Sequence, residues 1–257
     1  MVKFKILWNA FGDKFGRTII HPQFIKKTLE HNAIIEAKKY ARGKLVDLGC
    51  GRMAYRGEFE NLVDKYIGVD NPKLSKLYNA DRKPDVIADI EKRLPFKDNS
   101  FDISLNFQVL EYITSPLPFL SEIYRILKPS GILILSVPFM YPLHDVPYDK
   151  YRYTANALKY ILGKTGFSVL KVYSQGGFLE FWLQSLNVFF LKRILDIISS
   201  KRNIFSYAYL FFLVILCPFI VLISNIFIAI IRPFVKSFKS FQNDFPLEIL
   251  IVAKKNE

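Results

Sequence analysis

The residues best placed for chemistry form a short glycine-rich turn, Asp47-Leu48-Gly49-Cys50-Gly51. The turn follows an apolar run, and its glycines allow the backbone to turn sharply and a ligand to approach closely. Asp70 comes about 20 residues later, where a carboxylate can accept hydrogen bonds from ribose hydroxyls. The same pattern describes dinucleotide enzymes, and an ordinary tight turn is the simplest alternative. The third glycine of the dinucleotide fingerprint is missing, because Met53 and Ala54 stand there.

The elements around this turn alternate between short apolar strands and helices, a pattern typical of a parallel, doubly wound α/β sheet. Ligands bind at the carboxyl edge of such a sheet, so the turn should lie at a binding site. The predicted strands are residues 44–48, 66–69, 85–88, 101–105, 132–137, 167–173 and 247–253. The predicted helices of this part are residues 21–42, 116–127 and 154–164.

Five segments in order resemble the motifs of class I, Rossmann-like, S-adenosylmethionine-dependent methyltransferases. These segments are residues 46–51, 66–70, 88–102, 109–113 and 122–131. Five ordered motifs at the family's spacing are far more specific than one turn, and the likeness extends from about residue 44 to 173. The resemblance implies S-adenosylmethionine as the cofactor. It also implies a seven-stranded, mostly parallel sheet with an antiparallel last strand.

The resemblance further implies roles for individual residues. Gly49 and Gly51 would lie under the methionine part of the cofactor, with Cys50 as a small filler of the turn. Asp70 would accept both ribose hydroxyls, and Asp47 would orient the cofactor's amino group. The remaining cofactor contacts would be Asp89 at the adenine amino group, Ile90 beside it, and Asn106 and Phe107 at the sulfonium. Each strand-end aspartate could instead cap a helix.

The sequence departs from the family at two positions. Tyr112 stands where the family usually has histidine, so a catalytic role of that histidine cannot be carried over. This change leaves open a non-catalytic, membrane-bound adaptor that retains the fold. Ser130 replaces a glycine of the Lys-Pro-Gly-Gly turn, a change that a turn should tolerate.

The loop at residues 137–154 leaves the carboxyl end of predicted strand five, beside the expected cofactor. His144 is the candidate general base for a hydroxyl acceptor, because the pKa of an imidazole lies near working pH. Asp145 could orient it. Further candidates, for positioning an oxygen-rich or anionic acceptor, are Tyr148, Tyr151 and Arg152. Alternatively, His144 and Asp145 brace the loop, and Arg152 pairs with Asp149 on the surface.

An apolar helical insertion separates predicted strands six and seven. Residues 206–231 carry no charge and exceed the ~20 residues that span a bilayer. A helix that is apolar all round would otherwise need a very large core. Pro218, near the middle, predicts two short helices at residues 206–216 and 219–231, which would form a re-entrant hairpin.

The ends of the insertion should both lie on the cytosolic side, because predicted strands of one sheet precede and follow it. Positive flanking charge agrees with this prediction. The flanking basic residues are Lys192, Arg193, Lys201, Arg202, Arg232, Lys236 and Lys239. Residues 178–198 predict a companion interfacial helix. A two-span arrangement using that helix is the alternative, which its internal charges disfavour.

The composition of the chain limits which partners and which cellular location we expect. Lys plus Arg number 36 against 23 Asp plus Glu, a net charge of +13 that favours anionic partners. We expect an anionic membrane surface rather than nucleic acid, because no nucleic-acid module is evident and the apolar insertion would be unexplained. The two cysteines, Cys50 and Cys217, suit a reducing compartment. With no signal-peptide-like run, we expect the cytoplasmic face of the cell membrane, in a monotopic or re-entrant arrangement.

These observations predict three parts and one activity. Residues 1–175 would form the methyltransferase core with an N-terminal helical cap, residues 176–244 the membrane-associating insertion, and residues 245–257 the last strand. The activity would be methyl transfer, favouring an oxygen atom, to a small or lipid-linked acceptor without a metal ion. The insertion could also serve as a homodimer contact, and a nicotinamide-dependent oxidoreductase remains the alternative enzyme class.

Overall fold

The computed structural model describes residues 12, 14–71, 83–199, 204–235 and 244–257. Two compact units share the chain. The sheet unit comprises residues 32–139, 143–174 and 248–257, and the helical unit comprises the described residues within 1–31, 140–142 and 175–247. Four of the predicted flanking basic residues lie outside the described residues, namely Lys201, Arg202, Lys236 and Lys239.

A single seven-stranded sheet organises the sheet unit, in the order β3-β2-β1-β4-β5-β7-β6. The strands are β1 (Lys44–Leu48), β2 (Lys65–Asp70), β3 (Val86–Ile87), β4 (Phe101–Phe107), β5 (Leu127–Pro138), β6 (Phe167–Gln175) and β7 (Glu248–Lys255). The first five strands pair in parallel, and β7 runs antiparallel to β5. The predicted fold class is confirmed, with the last strand inserted between β5 and β6.

The α-helices given for the described residues are α1 (Phe24–Lys38), α2 (Arg56–Phe59), α3 (Pro116–Ile126), α4 (Ala155–Lys164), α5 (Phe178–Ser199) and α6 (Ile204–Val235). Two of them begin with recognisable start signals. Pro116 occupies the first turn of α3, where its missing N–H costs nothing. Thr154 caps α4, since its hydroxyl accepts a hydrogen bond from the Ala157 amide at 3.1 Å.

Two apolar clusters cover the two faces of the sheet. In β1, Leu45 belongs to one cluster, whereas Val46 and Leu48 belong to the other. This alternation follows from the period of two along a strand. Burial on both faces explains why these strands read as apolar runs rather than as alternating patterns.

The turn predicted at residues 128–131 is part of β5. The pairing of β4 with β5 shifts register between Phe101–Leu127 and Ile103–Ile132, so the extra residues form an irregularity within the strand. Ser130 adopts a positive φ of 61° there, the conformation for which glycine is best suited.

The helical unit corrects the predicted re-entrant hairpin. Helix α6 is continuous through Pro218, so the two short helices predicted at residues 206–216 and 219–231 do not exist as separate elements. Proline removes one backbone hydrogen bond, but its fixed φ is compatible with a helix. The chain instead reverses between α5 and α6. Their antiparallel packing is shown by Asn187 with Asn225, and by Glu180 near Arg232.

Polar side chains hold the interior of the helical unit together. The buried Asn225 amide donates to the carbonyl oxygens of Ile19 and His21 at 2.8 and 3.0 Å. Gln184, also buried, donates to the Pro22 carbonyl at 3.1 Å. These contacts join residues 19–22 to the helical pair α5 and α6.

Candidate functional site

The glycine-rich turn follows β1 directly and is held against β2. The Gly49 and Cys50 amides donate to the Val69 carbonyl at 2.8 and 3.2 Å. Gly49 and Gly51 have φ values of 78° and 54°. A Cβ on Gly49 would lie 2.5 Å from a Val109 methyl, whereas one on Gly51 would meet no described atom within 4 Å. The turn is therefore packed on one side and open above Gly51, as a ligand cradle requires.

Asp70 ends β2 next to this turn. Its carboxylate accepts the Gly51 amide and the Asn71 amide, each at 2.6 Å. Burial raises the pKa of Asp70, although these two amide hydrogen bonds oppose that effect. Each carboxylate oxygen retains a lone pair beyond the backbone contact, so the group can still accept hydroxyl donors.

Asp47 is buried within β1 and is already engaged. The Tyr66 hydroxyl, on the neighbouring strand, donates a hydrogen bond to its carboxylate. Burial raises the pKa of Asp47 to about 7, although the Tyr66 hydrogen bond lowers it and nearby Asp70 raises it further. Cys50 is also buried, and burial raises the pKa of its thiol, so the thiol is a filler of the turn and not a reactive group.

Asn106 and Phe107 end β4 on opposite faces. The buried Asn106 amide donates to the Leu48 carbonyl at 3.0 Å, and its Oδ1 has no hydrogen-bond partner among the described residues. An unpartnered buried oxygen beside the glycine turn fits a ligand donor that completes the site. Phe107 is buried, and its ring meets Tyr55 edge-on at 5.1 Å in the core.

Asp89 and Ile90 follow β3. The Asp89 carboxylate accepts the Glu91 amide at 3.1 Å and is half-exposed, so one oxygen closes a local turn. Ile90 is buried in the core cluster that also contains Val69. Residues 72–82, which precede this segment, lie outside the described residues.

The sheet order explains which of these predicted residues come together. Strands β2, β1 and β4 are neighbours, so their carboxyl ends bring Asp70, the turn and Asn106 to one edge. Direct contacts join them, from Gly51 to Asp70 and from Asn106 to Leu48. An acceptor-rich carboxylate, an open glycine turn and a buried amide suit a ligand that carries a nucleoside and an amino acid part.

The loop after β5 forms a second polar cluster around Asp149. The carboxylate of Asp149 is fully buried, lies 3.1 Å from His144 Nδ1, and accepts the His144 backbone amide at 3.0 Å. Arg152 donates to the same carboxylate through both terminal nitrogens. The predicted alternative pair of Arg152 with Asp149 is therefore present, but its carboxylate is not on the surface.

The expectation that Asp145 orients His144 is wrong. Asp145 adopts a positive φ of 48° and is exposed, and its carboxylate accepts the Tyr112 hydroxyl at 3.3 Å. The residue adjacent in sequence is thus not the one that contacts the ring. Sequence reasoning missed Asp149 as the partner, and the only available signal was its spacing of three from Arg152.

The tyrosines of the region have different surroundings. The Tyr112 ring meets the His144 ring edge-on, with centroids 5.9 Å apart. Tyr151 donates to the Thr114 carbonyl at 3.2 Å, so its hydroxyl stabilises the loop. Tyr148 is 64% exposed, which leaves most of its ring available to a ligand. Buried Glu111, missed by sequence reasoning, carries a carboxylate whose charge raises the pKa of Tyr112 after the larger effect of burial.

Comparison with known proteins identifies the central part of the chain. The sequence profile of a family described as a methyltransferase domain matches residues 46–135. A probable S-adenosylmethionine-dependent methyltransferase of Mycolicibacterium smegmatis is 29% identical over 143 residues, which cover 52% of this chain and 55% of that protein. A sterol 4-C-methyltransferase of Caenorhabditis elegans is 28% identical over 174 residues, which cover 62% of this chain and 51% of that protein. The chain thus spans about half the length of these relatives.

Solved structures agree on the fold. A methyltransferase of Archaeoglobus fulgidus, described as dependent on S-adenosylmethionine, aligns with a TM-score of 0.55 at 18% identity, covering 96% of this chain and 99% of that chain. At this identity the likeness concerns the fold alone.

Proposed function

We propose, from the class I methyltransferase domain that this chain contains, that it transfers a methyl group from S-adenosylmethionine to an acceptor at a membrane surface. The observation that carries the proposal is the junction of the glycine turn with Asp70 at the carboxyl edge of the sheet, where the Gly51 amide meets the carboxylate at 2.6 Å. This edge is where a doubly wound sheet binds its ligand.

The cofactor fits the residues present at this edge. Gly49 and Gly51 would lie under its methionine part, where the turn is open above Gly51. Asp70 would accept hydrogen bonds from the ribose hydroxyls. Asn106 Oδ1, which has no partner among the described residues, would accept a hydrogen bond from the ligand. Five further residues remain proposed cofactor-binding residues. Asp47 would orient the cofactor's amino group beside Cys50, Asp89 and Ile90 would lie at the adenine, and Phe107 would lie near the sulfonium. When bound, S-adenosylmethionine supplies an electrophilic methyl group on a positively charged sulfur.

His144 is the proposed general base. Its side chain is 25% exposed, and the ring nitrogen that does not face Asp149 is Nε2. A hydroxyl acceptor would give its proton to this nitrogen, which would make its oxygen a better nucleophile toward the methyl group that S-adenosylmethionine supplies. Oxygen is therefore the favoured methylated atom. Tyr148 and Arg152 are the proposed positioning groups for an oxygen-rich or anionic acceptor. Asp145 would hold the Tyr112 hydroxyl by accepting its hydrogen bond.

The membrane location rests on the surface of α6. Residues Tyr207–Phe234 are long and apolar enough to cross a membrane, and 28% of their most apolar window is buried. The exposed side is large and apolar, and the buried side is mostly apolar as well, with Leu213, Cys217, Val221 and Ile228 beside Ser224 and Asn225. A helix whose exposed side is apolar lacks the polar face of a surface helix in water. Such an arrangement suits surroundings of lipid.

The charge pattern supports the cytoplasmic face as the location. Basic residues flank the apolar stretch on both sides, and the net charge of +13 would attract anionic headgroups. An enzyme held at the bilayer surface would meet acceptors that are themselves lipid-linked or membrane-located. One relative, the sterol 4-C-methyltransferase, carries an apolar acceptor in its name.

Calorimetric titration of the detergent-solubilised full chain tests the proposal. We expect S-adenosylmethionine to bind and a nicotinamide dinucleotide not to bind. Asp70→Asn should weaken binding by roughly 10-fold or more, because hydrogen bonds to a charged group contribute about 1.5–3 kcal/mol. Asp64→Asn, at an exposed position, is the matched control and should bind as the wild type does. Binding of the dinucleotide instead would favour the oxidoreductase, and binding of neither would reject the site.

A further inference from the structure

Two contacts fix the register of the antiparallel helices α5 and α6 within the helical unit. Glu180 Oε1 lies 4.0 Å from Arg232 Nε near one end of the pair. Farther along, the Asn187 side-chain amide donates to Asn225 Oδ1 at 3.2 Å. Seven residues forward along α5 therefore match seven residues back along α6. The same register, continued along the pair, shows which parts of the two helices lie at one level.

The charged residues of α5 lie level with the middle of the apolar stretch of α6. Continuing the register toward the end of α5 brings residues 192–196 beside residues 216–220, at the centre of Tyr207–Phe234. Three exposed charges stand in this part of α5, namely Lys192, Arg193 and Asp196. A pair that crossed the bilayer would hold them near the midplane, about 15 Å from either surface of a ~30 Å hydrocarbon core. That distance is longer than a lysine or arginine side chain extends, so the charges would stay in hydrocarbon at high cost.

A non-helical segment lies against the same apolar stretch. The buried Asn225 amide donates to the Ile19 and His21 carbonyl oxygens at 2.8 and 3.0 Å. Ile19 and Ile20 are exposed beside it. Asn225 lies about 7 Å along the helix axis from the centre of the stretch 207–234. Irregular backbone exposed to lipid does not occur within the hydrocarbon region, because no water is present there to pair its polar groups.

The side of α6 opposite these contacts is apolar. Asn225 marks the side that meets α5 and residues 19–22. Seen along the axis, at about 100° per residue, four positions cluster within about 40° of one another and about 140° from Asn225. These four exposed residues, which we call the apolar face of α6, are Phe212, Phe219, Ile223 and Ile230. The helix thus has one covered side and one side that only an apolar surrounding suits.

Helix α5 carries a face of a different kind, about half a turn around the helix from Asn187. We call it the basic face of α5, and its exposed members are Trp182, Phe189, Lys192, Arg193 and Asp196. The Arg193 guanidinium lies over the Phe189 ring, 5.5 Å from its centroid, and 4.0 Å from Asp196. Aromatic residues together with Lys and Arg are typical of helices that lie at the bilayer interface.

We propose that the helical pair lies along the membrane plane, with the apolar face of α6 in the acyl chains and the basic face of α5 at anionic headgroups. Lys192 and Arg193 then meet phosphate oxygens, and residues 19–22 stay on the α5 side of α6, outside the hydrocarbon. This orientation rests on the membrane location in the proposed function and adds the surface that binds the headgroups. A second copy of the chain would cover the apolar face but would give the basic face no anionic partner.

Spin labels along the apolar face of α6 test the orientation in vesicles of phosphatidylcholine and phosphatidylglycerol. The full-chain variants Phe212→Cys, Phe219→Cys and Ile230→Cys carry the label, and collisions with oxygen and with a water-soluble nickel complex measure its depth. Positions 212 and 230 lie about 27 Å apart along the helix, close to the whole ~30 Å hydrocarbon thickness. We expect three similar depths. A depth that peaks at Phe219 and falls toward both ends would show a spanning helix and overturn the proposal.

A matched pair of labels at one level of the two helices gives a second readout. In the register above, Phe189 on α5 lies beside Ile223 on α6. We expect the label of Ile223→Cys to lie deep in the acyl chains and that of Phe189→Cys to lie at the headgroups. Equal depths would again indicate a spanning pair. Cys50 and Cys217 are buried, so the wild-type chain treated with the same label measures the background.

The contact with headgroups has its own test by vesicle binding. Lys192→Gln combined with Arg193→Gln should weaken binding to the anionic vesicles by about 5-fold for each charge removed. Binding to phosphatidylcholine alone should not change. Lys159→Gln combined with Lys171→Gln removes the same charge from exposed positions of the sheet unit and should weaken binding much less. An equal loss in both double variants would show that net charge alone attracts the vesicle, and would reject the basic face as the binding surface.

The outcomes separate this orientation from the proposed function. Labels that collide with the nickel complex as freely as in water at every position would reject the membrane location itself. Labels shielded from both reagents, in a particle of twice the mass, would show that a second copy covers the apolar face, and would overturn the orientation. A spanning profile would reject the orientation alone. Neither cofactor nor acceptor is present in these measurements, so failure of methyl transfer cannot produce the expected depths or remove them.

Discussion

At the residue scale, Asp47 shows how one carboxyl group can belong to both a binding turn and a core. It lies on β1 with its side chain buried, and the Tyr66 hydroxyl donates to it. Burial raises its pKa to about 7, so near neutral pH the native protein holds a proton that an exposed aspartate would have lost. The protonation state of the Asp47 carboxyl therefore affects both its proposed contact with the cofactor and the stability of the sheet.

The pH dependence of stability should carry this signature. The native state binds a proton that the unfolded chain releases near pH 4, so the Asp47 contribution to the free energy of unfolding falls as pH rises from about 4 to about 7. Asp47→Asn should remove that decline and stabilise the protein relative to wild type at pH 8 by up to ~4 kcal/mol. Urea unfolding at pH 5 and pH 8 measures the difference. Equal pH dependence in both proteins would show that Asp47 is ionised throughout, and Asp64→Asn is the surface control.

At the element scale, α6 shows that a proline need not end a helix. Pro218 lies well inside a helix that extends from Ile204 to Val235. The antiparallel partner is α5, and the buried Asn187 and Asn225 amides meet at 3.2 Å between them. The reversal of direction predicted within the apolar stretch therefore occurs before it, and both ends of the helical pair still connect to strands of one sheet.

Pro218→Ala distinguishes the continuous helix from a re-entrant turn. In a continuous helix, alanine restores a backbone hydrogen bond and should raise thermal stability, by at most ~3 kcal/mol. In a re-entrant hairpin, the proline would define the turn and its loss would disturb the insertion. The melting temperature in detergent, with Leu216→Ala as the matched control on the same helix, measures the effect. A drop larger than that of the control would restore the hairpin interpretation.

At the scale of the whole molecule, the proposed membrane location rests on the exposed apolar surface of α6 and on the net charge of +13. Exposed residues on this helix include Phe211, Phe219, Ile223 and Ile230, each more than 60% exposed. A contiguous apolar surface of this kind on a protein in water would promote association. In the proposed location, a bilayer with anionic headgroups would cover the apolar surface and attract the positive charge.

Vesicle flotation tests this inference on the full chain. We expect binding to vesicles that contain anionic lipid and weaker binding to neutral ones. The double variant Phe219→Lys, Ile223→Lys should move the protein to the unbound fraction, because a central lysine costs about 2.5–3.5 kcal/mol in a membrane helix. A matched variant, Leu62→Lys, lies at an exposed apolar position of the sheet unit and should not change binding. A wild-type dimer that ignores vesicles would show instead that a second copy covers the surface.

The sequence by itself determined the sheet and the edge at which we propose that the cofactor binds. The predicted strands 44–48, 66–69 and 101–105 lie within the observed β1, β2 and β4. Local sequence suffices for these elements, because an apolar run followed by a glycine turn predicts both the strand and the residue at which it ends. The five ordered motifs also indicated a methyltransferase domain, which the match over residues 46–135 confirms.

Only the tertiary structure decided which side chains meet. Proximity in the chain suggested Asp145 for His144, but the loop conformation turns Asp145 toward Tyr112 and buries Asp149 against the ring. The partner of Asp47 is likewise Tyr66 on the adjacent strand. Such pairings depend on backbone direction and strand order, which spacing does not encode. The course of α6 through Pro218 was decided in the same way, by packing against α5 and not by the residue's own preference.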